Sequence, residues 1–187
     1  CMRDAITLVF LLFALMLSGV LTSVSAYIRE EYSQSLEIKL WLYSIVLSII
    51  SLVLFAIGTE TTTEAIRSNS VIFTFANTFY LASIIVQTLF CFSLRVDISR
   101  KVIYFCVIFL AIFAIHFEYL RGSGNFVGRV LEVAFISSSL LVAQLFSLRK
   151  VLRLQNSIQL KFLFVFTLLE LAMVIARLVV SALQVNP

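Results

Sequence analysis

The chain has 187 residues, of which 61% are hydrophobic and 13% charged, with a formal net charge of +4 and a mean hydropathy of +1.09. A water-soluble domain of that length needs a skin of charged and polar groups that this composition cannot supply, so a membrane-embedded chain is expected. The pI of about 9.2 arises from short basic loops rather than a basic groove, which speaks against nucleic acid as a partner.

A helix needs roughly 20 apolar residues to cross a bilayer core. Six stretches satisfy or nearly satisfy that length, so the expected fold class is all-α, a polytopic membrane helical bundle with six transmembrane helices in one membrane domain over 1–187. The first covers 5–27. Its apolar run is longer than the roughly 7–15 residues of a secretory h-region, so it reads as a span, although "SVSA" at 23–26 resembles a cleavage site. The chain begins at Cys1 with no lipobox before it, which reads as a fragment or a processed chain rather than a lipoprotein. The second span is 40–58 and the third 71–93. The fourth, 103–117, "IYFCVIFLAIFAIHF", is the shortest. "RGSGNFVG" at 121–128 is the clearest loop. The fifth span is 129–147 and the sixth 160–184. Continuous rather than alternating apolar runs argue against a β-barrel. There are 5 Gly, and the 1 Pro is the last residue. The spans should therefore be straight, which speaks against a transporter built on broken helices.

Lys and Arg in the short loops set orientation. Of the 14 basic residues, nine fall in the first, third and fifth loops. They are Arg29 and Lys39, then Arg95, Arg100 and Lys101, then Arg149, Lys150, Arg153 and Lys161. Arg3, Arg67, Arg121 and Arg129 lie on the other side, and Arg177 lies inside a span. The odd loops are thus expected to be cytoplasmic, with the N-terminus outside, as in a multi-pass membrane protein. Trp41 and Tyr43 would anchor the inner interface. The fifth loop, "LRKVLRLQNSIQLK", is the strongest determinant; it reads first as a topology signal and nothing more, with contact to anionic headgroups as the second reading. With the C-terminal end outside, any cytoplasmic module following it needs one more helix, making these six of seven.

The sixth span, "LKFLFVFTLLELAMVIARLVVSAL", carries Glu170 at mid-span and Arg177 seven residues on. A charge at the bilayer centre costs about 2.5–3.5 kcal/mol on insertion scales, so such residues usually face the bundle interior and find partners. Seven residues is nearly two turns and about 10 Å of rise, which puts both charges on one face but beyond easy mutual contact. Partners on other helices are expected. By depth, Asn77, His116 and Glu132 fall in the outer leaflet beside Arg177. The candidate ligand-binding set is therefore Asn77, His116, Glu132 and Arg177 over a floor at Glu170. A second reading stays open, in which these groups form a structural network or sit at the interface, Arg177 snorkelling outward. Gln87, Gln144 and Ser137–Ser139 are expected to bond between closely packed helices.

No catalytic residue, cofactor or metal site is expected. One His excludes a bis-histidine haem, and the three cysteines match no metal or disulfide spacing. No span holds an interior Lys for a Schiff base. The candidate partners are the lipid bilayer, a small-molecule or lipid ligand, and a second copy in a homodimer.

Three stretches together resemble a known pattern: "LWLYSIVLSIISLVLFAIG", "SVIFTFANTFYLASIIVQTLFCFSLR" and "GRVLEVAFISSSLLVAQLFSLR". They resemble the N-terminal multi-helix membrane region of bacterial sensor diguanylate cyclases. There an aromatic-led helix precedes one with an Asn in its first third and a closing basic residue, positions matched here by Trp41, Tyr43, Asn77 and Arg95. The loop "TETTTEAIRSN" departs from the pattern in having no Pro. The resemblance implies a sensor or input region of a signal-transduction protein, with no enzymatic activity in this segment. The rival expectations are a small transporter or channel with Glu170 as coupling group, and a structural subunit of a membrane complex.

Overall fold

The computed structural model describes residues 7–19, 35–61, 71–155 and 157–185, the side chains at 60, 61, 177 and 180–185 excepted. The described residues form six helices and no strand. They are α1 (Thr7–Gly19), α2 (Leu36–Thr61), α3 (Val71–Ser93), α4 (Arg100–Gly122), α5 (Phe126–Leu154) and α6 (Ile158–Val185). All but α1 are long and apolar enough to cross a membrane. Residues 5, 6 and 20–27 of the first expected span, together with Arg3, Arg29 and Arg67, lie outside the described residues.

Every long helix except α3 extends past the apolar run that announces it. The run in α4 is 103–117, yet the helix covers Arg100–Gly122. A helix stops where its backbone is capped, not where hydropathy falls. At the end of α4 the cap is a Schellman motif: Asn125 N–H donates to Leu120 O at 3.0 Å and Gly124 N–H to Arg121 O at 3.1 Å. The turn requires a left-handed residue, and Gly124 supplies it with φ +71°. Asn125 then caps α5, its Oδ1 accepting from Gly128 N–H at 2.8 Å. Three residues thus reverse the chain. At the other end of the bundle, Gln155 is extended and the Ser157 hydroxyl accepts from Leu160 N–H at 3.2 Å, starting α6. The fifth loop therefore shrinks to 155–157, and all four of its cations ride on helix ends.

Helix α3 is the most enclosed and packs on α2, α4 and α5; α6 packs on α5, and α4 also touches α5. Helix α1 joins at the flank of α2, where the Thr7 and Thr59 hydroxyls bond at 2.8 Å and the Phe10 and Phe55 rings stack with centroids 5.6 Å apart. The shared apolar core unites Leu40 of α2, Leu81, Ile85 and Leu89 of α3, Phe113 and Phe117 of α4, and Val133 of α5.

The distribution of side chains is inverted relative to a water-soluble bundle. Small and polar groups line the seams: Ser51, Thr88, Ser137, Gln144 and Ser147 are all buried. The Ser51 hydroxyl donates to Ala76 O at 2.9 Å, tying α2 to α3. Gln144 donates from Nε2 to Thr88 Oγ1 at 3.0 Å and Ile84 O at 3.3 Å, and the Ser147 hydroxyl donates to Cys91 O at 2.8 Å, tying α5 to α3. Large apolar groups point outward, among them Phe105 and Ile115 on α4 and Phe162 and Met173 on α6. In water those faces would form patches well beyond what a monomer tolerates. In lipid they cost nothing, and close approach through small residues with interhelical hydrogen bonds is what holds helices together. The arrangement points to a membrane protein.

Candidate functional site

At the end of the bundle where α4 turns into α5, polar groups from three helices meet. Residues 116, 117 and 118 step about 100° apart around α4, so His116 and Glu118 point to different sides. Phe117 lies in the core, its ring 5.5 Å from that of Phe113. On one side, Glu118 meets α3: the Thr74 hydroxyl donates to its Oε2 at 2.7 Å. Arg121, three residues on and therefore one turn away, closes a two-point contact. Its Nε donates to Oε2 at 2.9 Å, and its Nη2 donates to Oε1. The Thr78 hydroxyl donates to Thr74 O at 2.8 Å, keeping this part of α3 in register.

On the other side, His116 meets α5, with Nδ1 2.7 Å from Glu132 Oε1. The two partners differ in access: the His116 side chain is 56% exposed and that of Glu132 only 16%. Glu132 Oε2 is buried and accepts no hydrogen bond among the described residues. Arg129 of α5 is 5% exposed, its guanidinium carbon 6.0 Å from the Phe117 ring centroid and 5.6 Å from that of Phe126. A cation over two aromatic faces is stabilised by their quadrupoles, more so away from water.

Of the expected site residues, the structure brings His116 and Glu132 into contact. Asn77 is buried on α3, but its amide nitrogen donates to Phe73 O of its own helix at 2.6 Å. Glu170 is partly buried, on the stripe of α6 that includes Leu163, Thr167 and Val174. That is the least exposed side of α6 and packs on α5. It makes no hydrogen bond or ion pair with the described residues. At 12 residues from Ile158 it lies about 18 Å along the helix, near mid-depth. The Arg177 side chain lies outside the described residues. Glu132 lies 22 residues before Leu154, about 33 Å along α5 from the α5–α6 turn, against about 18 Å for Glu170, so Glu170 and the His116–Glu132 pair occupy separate depths.

Thr74, Glu118 and the packing role of Arg129 are additions from the structure. A Thr in an apolar helix gives no sequence signal, and Arg121 and Arg129 read as loop charges. The one available hint was the i,i+3 spacing of Glu118 and Arg121 just before a glycine turn.

Comparison with known protein families, with curated proteins and with solved structures returned no match.

The junction fastens three helices by charged and hydrogen-bonded contacts at one end of the bundle. One member, His116, is open to solvent or ligand, and its partner holds a buried carboxylate oxygen with spare accepting capacity. A ligand that competes for either group would loosen or tighten α4 against α5.

Proposed function

We propose that this chain is the membrane-embedded input region of a bacterial signal-transduction protein. In this reading six helices cross the inner membrane with the N-terminus outside, and the α4–α5 turn faces outward. A small-molecule or lipid signal acts at the His116–Glu132 junction, and the change in packing passes through α5 and α6 to a cytoplasmic output module. The observation that supports it best is that junction: a half-exposed imidazole held 2.7 Å from a mostly buried carboxylate on the next helix. The charge asymmetry between the two ends supports the orientation.

The test uses the full-length native protein. Glu132→Gln and His116→Ala should each shift signalling output at least about threefold while membrane abundance stays normal, since about 0.6 kcal/mol of interhelical bonding, the typical value inside membranes, is worth that factor. Unchanged output in both variants would remove the junction from signalling, and a native gene with no output module after Pro187 would end the sensor reading.

A second reading is favoured by Glu170, a mid-depth carboxylate with no partner among the described residues. It is that of a small transporter in which Glu170 is the coupling group. Proton- or ion-coupled uptake by reconstituted protein that Glu170→Gln abolishes would establish it in place of the first.

A further inference from the structure

The two ends of the bundle treat their charges differently. At the α4–α5 turn, the carboxylates find partners within the chain, Glu118 in Arg121 and Glu132 in the His116 ring. At the opposite end, α4 begins with Arg100 and Lys101, α5 finishes through Arg149, Lys150 and Arg153, and α6 begins with Lys161. All six are exposed. Among the described residues none makes a salt bridge, and neither does either carboxylate at this end, Glu37 or Asp97.

This lack of internal pairing has a cost within α5. Arg149 and Arg153 are i,i+4 neighbours on one helix face, a like-charge pair that weakens the helix by a few tenths of a kcal/mol. Position relative to the bilayer indicates what offsets it. Exposed rings lie one turn inward of the cations on three helices: Tyr43 inward of Lys39, Tyr104 of Arg100 and Phe146 of Lys150. Four residues rise about 6 Å. Tyr at such a level marks the interfacial belt, which sets the cations at the depth of the lipid phosphates.

We propose that this end of the bundle is a docking surface for anionic phospholipid headgroups, centred on Arg149, Lys150 and Arg153, and that the protein retains a shell of such lipids in preference to zwitterionic ones. The interaction goes beyond setting orientation, because it persists once the protein is out of the membrane. It does not depend on the sensor reading.

The experiment uses the whole chain purified in a mild nonionic detergent with an equimolar mixture of phosphatidylglycerol and phosphatidylcholine, analysed by native mass spectrometry. Each basic residue near an anionic surface contributes about 1 kcal/mol, roughly fivefold. Retained phosphatidylglycerol should therefore exceed phosphatidylcholine by at least about fivefold. The triple substitution Arg149→Gln, Lys150→Gln and Arg153→Gln should bring the ratio below about twofold, whereas Arg149→Lys with Arg153→Lys should preserve it. Raising the salt from 50 to 500 mM should erode the wild-type preference, as the Debye length falls from more than 10 Å towards 4 Å. Equal retention of the two lipids by the wild-type protein overturns the proposal even if the triple variant fails to fold. So does a preference that survives the triple substitution, which would place the lipid elsewhere.

Discussion

Ala76→Leu should lower the stability of the purified protein by about 3 kcal/mol, while Phe75→Leu, one residue away, should change it by less than about 0.5 kcal/mol. Ala76 is 0% exposed, and its carbonyl accepts the Ser51 hydroxyl at 2.9 Å across the α2–α3 seam. Three extra carbons at a closed seam force the helices apart, which typically costs 1–3 kcal/mol. Separation also stretches the Ser51 bond, worth about 0.6 kcal/mol on average inside membranes and up to about 1.7 kcal/mol. Phe75 points outward, and exchanging one apolar group for another against lipid alters little. The contrast runs opposite to a soluble protein, where truncating the larger side chain would attract attention first. Equilibrium unfolding in mixed micelles of rising SDS fraction measures both variants. Equal midpoints would show that the two helices are not packed through this seam.

The second large effect is expected at Arg129. Arg129→Glu should destabilise by about 3 kcal/mol or more, in the range seen when an uncompensated charge is left in a buried place. The new carboxylate would meet the negative faces of Phe117 and Phe126 and stand one turn from Glu132 on the same helix. Arg129→Met keeps most of the apolar stem and removes the charge. It forfeits the attraction to two rings but also relieves the desolvation of the guanidinium, so its cost should stay near 1 kcal/mol. The same SDS titration reports both. An Arg129→Glu protein as stable as Arg129→Met would mean that this position is wet, and that the rings do not enclose the cation.

Much of the fold could be read from apolar runs, and the departures have one cause. The run 71–93 and α3 coincide because the sequence turns polar close to both limits, at Asn69 and Ser70 before it and at Arg95 and Asp97 after it. In α4 and α5 the run ends inside the helix: Glu118 and Arg121 satisfy each other one turn apart, and Arg149, Lys150 and Arg153 reach outward from a helix that continues to Leu154. Depth along a helix was legible, which is why His116 and Glu132, flanking one turn, could be placed near each other. Angle around a helix was not. Asn77 stands at the same level, yet its amide is spent on Phe73 O. Glu170 faces α5 rather than the groups at its own depth on other helices. Arg129 reads as a loop cation in the sequence, but the tight Gly124–Asn125 reversal swings it beneath Phe126. Facing is decided by which helices are neighbours, and nothing in a hydrophobic run encodes that order.

The one-sided anchorage of α6 has a mechanical corollary. Its long flank is greased by acyl chains, and among the described residues a single neighbour, α5, supplies its sizeable protein contact. A tug applied near Val185 would work first against that lone seam, so α6 should peel away as a separate unit while the knot of α2, α3, α4 and α5 stays tied. This one-sided helix also carries an ionisable group half-way along, so a push on it is taken up by sliding or tilting along a single seam.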